Sequence, residues 1–175
     1  MSVIQFEAKL ITIDNLVIIH LPKEASVKLP SRGMAYVTGK INGFAFQAPL
    51  EPDGKGSHWF IVSKEMLKGA KAHVGSTVTL EIEPIRDWPE PEVPEDLHKA
   101  LIASPKEYAL WKDVTPMARW DWIRWVSSTK NPETRKKRIA VEIDKLKKGM
   151  RRPCCFNRSM CCNPDVSKNG VLLLL

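Results

Sequence analysis

The stretch MAYVTGKINGFAFQAP, residues 34–49, decides the fold of the first half of the chain. Two apolar, strand-forming runs flank Asn42-Gly43, and Asn-Gly between such runs is a strong signal for a two-residue β-hairpin turn. Four further segments, two before and two after this stretch, show strand-like alternation or apolar runs; they are residues 4–10, 16–21, 57–63 and 78–83. About six short strands of this kind predict a small closed or partly closed β-barrel over residues 1–83.

The second half of the chain changes character after Pro84. Residues 84–94 contain four prolines and predict an extended linker. Residues 95–152 predict three or four helices, because three N-cap residues each precede a proline at the first helical position; these pairs are Ser104-Pro105, Thr115-Pro116 and Asn131-Pro132. Residues 153–175 show no periodicity and predict a disordered, cysteine-containing tail. The predicted fold class is therefore α+β, a small barrel followed by a compact helical region.

Composition excludes several classes of protein. The chain has 175 residues, of which 43% are hydrophobic and 27% are charged, as is typical of a globular protein. The longest apolar runs, residues 16–19 and 171–175, are far shorter than the roughly 20 residues that span a bilayer. Residues 1–20 contain no continuous apolar segment of the kind that signal peptides carry. We therefore expect a cytoplasmic protein without a membrane span.

The net charge of +7 is concentrated in one region. Residues 119–152 contain twelve basic and four acidic side chains, whereas residues 1–118 are slightly acidic. A local basic face favours an anionic partner, such as nucleic acid, a phosphorylated ligand or an acidic protein. The alternative is that these charges simply form a solvated helix face.

Two blocks of sequence carry a family resemblance. The first comprises VTGKINGFAF (37–46), LEP (50–52) and GKGSH (54–58), followed by VPEDL (93–97). The second comprises WI (122–123), Lys130 and ETRKKRI (133–139). The first block resembles a small bacterial domain of unknown function, and the second resembles the bacteriocin-protection, YdeI/OmpD-associated family. The resemblance covers about residues 3–151 and implies a double-split β-barrel, distantly akin to AbrB/MazE-type barrels, before a short helical region. It implies no enzymatic reaction.

Six basic residues are candidates for contacts with an anionic partner; they are Arg119, Arg124, Lys130, Arg135, Lys136 and Arg138. On one interpretation, Arg135 and Arg138 bind a phosphate or carboxylate together with Lys130 and free amides of the first helical turn. On the other, one of these arginines pairs with Glu133 or with a barrel carboxylate and fixes the helix. Trp122 and Trp125 fit a helical core, which leaves Arg119 and Arg124 as candidates for surface contacts.

No catalytic motif is present, so we expect no catalytic residue, cofactor or metal. His58, after the Gly54–Ser57 loop, is a candidate for the mouth of the barrel. The Cys154-Cys155 and Cys161-Cys162 pairs lack zinc-ligand spacing and predict free thiols. The expected function is a non-catalytic binding module whose basic helical face contacts an anionic partner, nucleic acid or an acidic protein. The alternatives are a protein-interaction factor in bacteriocin or envelope stress and an unrecognised enzyme.

Overall fold

The structure is a computed structural model that describes residues 2–153 and 156–174. It divides into two compact units. The first, which we call the half-barrel unit, contains the described residues of 1–86, 158–161 and 166–175. The second, the helical unit, contains those of 87–157 and 162–165.

A curled, seven-stranded antiparallel sheet forms the half-barrel unit. The strands follow the order β1-β7-β4-β5-β6-β3-β2. Their bounds are β1 Ile4–Lys9, β2 Ile11–Ile13, β3 Leu16–His20, β4 Ala35–Ile41, β5 Phe44–Pro52, β6 His58–Ile61 and β7 Thr77–Pro84. Two short helices, α1 Lys23–Ser26 and α2 Lys64–Ala70, belong to the same unit. The structure thus contains one strand, β2, more than the sequence predicts.

The predicted hairpin joins β4 to β5. Asn42 and Gly43 have φ values of 47° and 83°, the positive values that a two-residue turn of this type needs. β5 then bends, because its first part, Phe44–Leu50, pairs with β4 whereas Glu51 and Pro52 pair with β6. This change of partner curls the sheet around an apolar core. The predicted α+β class with a barrel-like sheet is confirmed.

Four helices form the helical unit; they are α3 Glu95–Ile102, α4 Pro105–Asp113, α5 Pro116–Ser127 and α6 Pro132–Lys147. All three predicted proline starts are confirmed. Thr115 and Asn131 cap their helices with side-chain oxygens, whereas Ser104 makes no side-chain cap hydrogen bond. The core of the unit is apolar and contains Leu97, Leu101, Trp111, Trp122, Val126, Ile139 and Leu146.

The proline-rich segment packs within the helical unit from residue 87 onward. Trp88 is only 9% exposed, and Trp120 donates a hydrogen bond from Nε1 to the carbonyl of Pro89 at 2.8 Å. An extended segment has no internal hydrogen bonds, so its carbonyls remain available to such side-chain donors. No helix of residues 2–153 and 156–174 combines the length and apolar character needed to cross a bilayer.

The C-terminal segment differs from the predicted loose tail in its described part. The chain forms a hairpin of β8 Ser167–Lys168 and β9 Val171–Leu172 within the half-barrel unit. Val166 and Leu172 pack in one buried cluster with Ile18 and Trp59 of the sheet. Burial of these apolar side chains stabilises the C-terminal hairpin. The contacts join residues far apart in the sequence, so local periodicity does not predict them. Cys154 and Cys155 lie outside the described residues.

Candidate anion-binding surface of the helical unit

The outer side of α6 carries exposed lysines. Lys136, Lys137 and Lys147 are exposed, as is Lys148 at the C-terminal end of the helix. Because Lys136 and Lys147 are eleven residues apart, close to three helical turns, they share one side of the helix. Ile139 and Leu146 lie on the buried side. We call Lys136, Lys137 and Lys147 the lysine face.

The lysine face is free of ion pairs within the described part of the chain. Two neighbouring lysines do have carboxylate partners. Lys148 lies 2.8 Å from Asp144, and Lys130 lies 3.0 Å from Asp165. Both pairs are largely exposed, so each contributes little to stability. The ammonium groups of the lysine face therefore remain available to an external anion.

Arg135 is paired within the helical unit. Its Nε and Nη2 donate to the two carboxylate oxygens of Asp96, at 2.5 Å and 3.0 Å. These hydrogen bonds lower the pKa of Asp96 and raise that of Arg135. The pairing matches the structural interpretation of this arginine, with a partner on α3 instead of Glu133 or the barrel. The Arg135 fork is filled by this carboxylate.

Arg138 donates hydrogen bonds to the C-terminal end of α5. Its Nη1 donates to the carbonyl oxygen of Trp125 at 2.9 Å and to Oγ of Ser128 at 2.6 Å. The guanidinium also lies 5.8 Å from the centre of a ring of Trp125. A cation at a helix C-terminus satisfies carbonyls that have no partner within the helix. Arg138 therefore joins α6 to the end of α5.

Arg119 and Arg124, the two candidates for surface contacts, are 7% and 5% exposed and belong to the interior. Arg119 donates to both carboxylate oxygens of Glu90 and to three backbone carbonyls at the end of α4. Arg124 lies 3.7 Å from buried Asp121 and donates from Nη2 to Sγ of Cys162 at 3.4 Å. Both arginines lie on α5, the helix that also carries the buried core residue Trp122.

Glu142 is a buried carboxyl that sequence reasoning missed. Its side chain has no exposed surface, and neither oxygen has a hydrogen-bond partner in the described residues. Burial raises its pKa to about 8, because removal from water disfavours the charged form. The sequence holds a signal: Glu142 lies three residues after Ile139 and four before Leu146, within the apolar stripe of α6.

His58 has no exposed surface and holds the interior of the half-barrel unit together. Its Nδ1 lies 2.7 Å from Oγ of Ser26, and its Nε2 lies 2.8 Å from the carbonyl oxygen of Gly33. Because a carbonyl accepts only, Nε2 carries the proton and Nδ1 accepts from the serine hydroxyl. The imidazole thus joins three segments of chain and is not open to a substrate.

His20 is half-buried and therefore more accessible than His58. Its Nε2 lies 2.8 Å from Oδ2 of Asp53, whose other oxygen accepts from the amides of Lys55 and Ser57. These hydrogen bonds contribute to a lowered pKa of Asp53, although burial acts in the opposite direction. The pair fixes the loop between β5 and β6. Within residues 2–153 and 156–174, no three side chains of metal-binding type lie close enough to share an ion.

A curled antiparallel sheet followed by a four-helix unit with an exposed lysine face defines a two-unit α+β protein. Residues 90–149 match the family described as bacteriocin-protection, YdeI or OmpD-associated, and residues 6–82 match a domain of unknown function (DUF1905). Both matches agree with the resemblance of the two sequence blocks, the family at the helical unit and the domain of unknown function at the half-barrel unit. A search of curated proteins finds no match to the chain.

Proposed function

We propose that the protein is a non-catalytic binding module that contacts nucleic acid through the lysine face of α6. The observation that supports this proposal is the division of roles among the basic residues. Arg119, Arg124, Arg135 and Arg138 are held by groups of the helical unit, whereas the lysine face is exposed and forms no close ion pair with a described carboxylate. The available positive charge is thus gathered on the exposed surface of one helix.

The chemistry of lysine indicates what kind of contact this is. An ammonium group on a flexible stem is a strongly hydrated point charge, in contrast to the planar fork with which arginine reads bases. Lysines that contact phosphates supply affinity and position but little sequence information. The proposal is therefore sequence-independent binding to the phosphate backbone, strongly weakened by salt.

The experiment measures binding of the full chain to a fluorescently labelled DNA duplex and to an RNA of the same length across a salt series. The test variant replaces the lysine face, as Lys136→Gln, Lys137→Gln and Lys147→Gln together. The matched control removes three exposed lysines of the half-barrel unit, as Lys28→Gln, Lys64→Gln and Lys68→Gln. Both variants lose the same net charge, so only the location of the charge differs.

We expect the test variant to bind more weakly and with a shallower salt dependence, and the control to bind as the wild type does. Equal loss in both variants would indicate a non-specific charge effect and would contradict the proposed surface. The lysines are exposed, so neither variant should unfold the protein; circular dichroism checks this. Variants of Arg135 or Arg138 are unsuitable, because these residues hold helices together.

A second candidate function is supported by the family description, which refers to bacteriocin protection. In that case the lysine face contacts an acidic protein instead of nucleic acid. The distinguishing experiment is survival of a bacterial host under bacteriocin challenge, with the wild type, the test variant or the control variant supplied. Protection that depends on the lysine face, in a protein that binds neither DNA nor RNA at low salt, would favour this second function.

A further inference from the structure

The helical unit contains an open cavity that the proposed function does not use. Its volume is about 270 Å³. It lies between the extended segment 90–93 and helix α4, and its lining residues are Glu90, Val93, Tyr108, Trp111, Lys112 and Arg119. The volume is just below the usual range for small-molecule sites, which begins at about 300 Å³. The lysine face contributes no side chain to this lining.

The walls of the cavity combine polar groups with a small apolar surface, which comes mainly from Val93 and the Tyr108 ring. Val93 and Tyr108 are half-buried, and Trp111 is only 3% exposed. Aromatic side chains offer large flat surfaces that pack well against another ring. A ligand with an aromatic ring would therefore gain most from this lining.

The charges of the cavity favour a single negative charge on that body. Arg119 and Glu90 form an ion pair in which the carboxylate accepts two hydrogen bonds, so these two charges largely compensate each other. Lys112 is different, because its Nζ lies 4.1 Å from the centre of the Tyr108 ring and forms no ion pair with any described residue. One uncompensated ammonium group thus stands beside the aromatic wall.

We propose that this cavity binds a small organic monoanion with an aromatic ring, of the arylcarboxylate class. The ring packs between Val93 and the aromatic side chains, and the carboxylate contacts Nζ of Lys112. Lys112 supplies the one uncompensated positive charge described in this lining, so the proposal is limited to a ligand with a single negative charge. This proposal does not depend on nucleic-acid binding, because no residue of the lysine face lines the cavity.

The test uses the full chain and two probes, benzoate and its neutral analogue benzamide, with ligand-observed NMR and calorimetric titration. We expect millimolar binding of benzoate, which is typical of so small a ligand, and weaker binding of benzamide. Lys112→Gln should weaken benzoate binding about two-fold, the effect expected of one exposed ion pair, and leave benzamide unchanged. Lys106→Gln is the matched control, because Lys106 is exposed on the same helix but does not line the cavity.

A second variant separates the cavity from general attraction to a basic protein. Val93→Phe fills part of the cavity and should abolish binding of both probes, while circular dichroism confirms that the helices remain. Benzoate binding that survives both Lys112→Gln and Val93→Phe would overturn the proposal. Absence of saturable benzoate binding at millimolar concentration would overturn it as well.

Discussion

Replacement of Glu142 by glutamine should remove most of the pH dependence of the stability of the helical unit. The carboxyl of Glu142 is fully buried without a hydrogen-bond partner in the described residues, and its pKa is raised from the ordinary 4.5 to about 8. The folded state therefore keeps a proton that the unfolded chain releases at mildly acidic pH. Stability is complete below the ordinary pKa and decreases as the pH rises toward the raised value.

The size of the effect follows from the two pKa values. Integrating the difference in bound protons gives a loss of about 3.5 kcal/mol in the free energy of unfolding between about pH 5 and pH 8. The charged groups one turn away on α6 are Arg138 and Lys145. Neither forms an ion pair with Glu142 among the described residues: Arg138 is held by the end of α5, and Lys145 lies 5.5 Å from the centre of a ring of Trp125. Burial therefore dominates the pKa.

The assay is urea unfolding of the full chain at several pH values, followed by tryptophan fluorescence. Five of the six tryptophans belong to the helical unit, so the signal reports mainly on this unit. We expect a free energy of unfolding that decreases with pH in the wild type and stays nearly flat in Glu142→Gln. Glu133→Gln, an exposed change on the same helix, is the control and should follow the wild type. The same slope in wild type and Glu142→Gln would refute the reasoning.

Three further predictions concern stability and can be measured by thermal or urea unfolding. Gly54→Ala should cost about 2–4 kcal/mol, because Gly54 has a φ of 82° and a Cβ there would lie 2.1 Å from the carbonyl oxygen of Gly170; an unchanged melting temperature would contradict this packing. Arg119→Lys should cost about 2 kcal/mol, since a lysine cannot replace the fork that holds a carboxylate and several carbonyls at once. Asp96→Asn should cost only about 0.5 kcal/mol at neutral pH, because its pair with Arg135 is partly exposed. The pair's contribution to the free energy of unfolding is present above the ordinary carboxyl pKa and is lost as the pH falls through the lowered pKa of Asp96. If the wild type stays more stable than Asp96→Asn in acid, this prediction is contradicted.

Local signals in the sequence predicted local structure well. The Asn42-Gly43 turn and the proline starts of α4, α5 and α6 depend on residues that are adjacent along the chain, so a short window contains the cause. The partners of the arginines are distant instead. Asp96 lies 39 residues from Arg135, and Glu90 lies 29 residues from Arg119. Sequence spacing carries no information on such contacts, and this is why Arg119 was expected at the surface.

The same distinction changes what the basic composition of residues 119–152 means for binding. All six arginines of this region lie within contact distance of a carboxylate or a backbone carbonyl of the helical unit, whereas three of its six lysines form the lysine face. The net charge of residues 119–152 would suggest that the protein neutralises about eight phosphates. Among these residues, all of which the structure describes, only the three lysines of the lysine face are available to contact phosphates. With about 0.9 counterions released per phosphate, the slope of log K against log salt should be near −3 and not near −7. A slope near −7 would mean that the arginine pairs open on binding, and the division between internal arginines and external lysines would then fail as the basis of the proposed function.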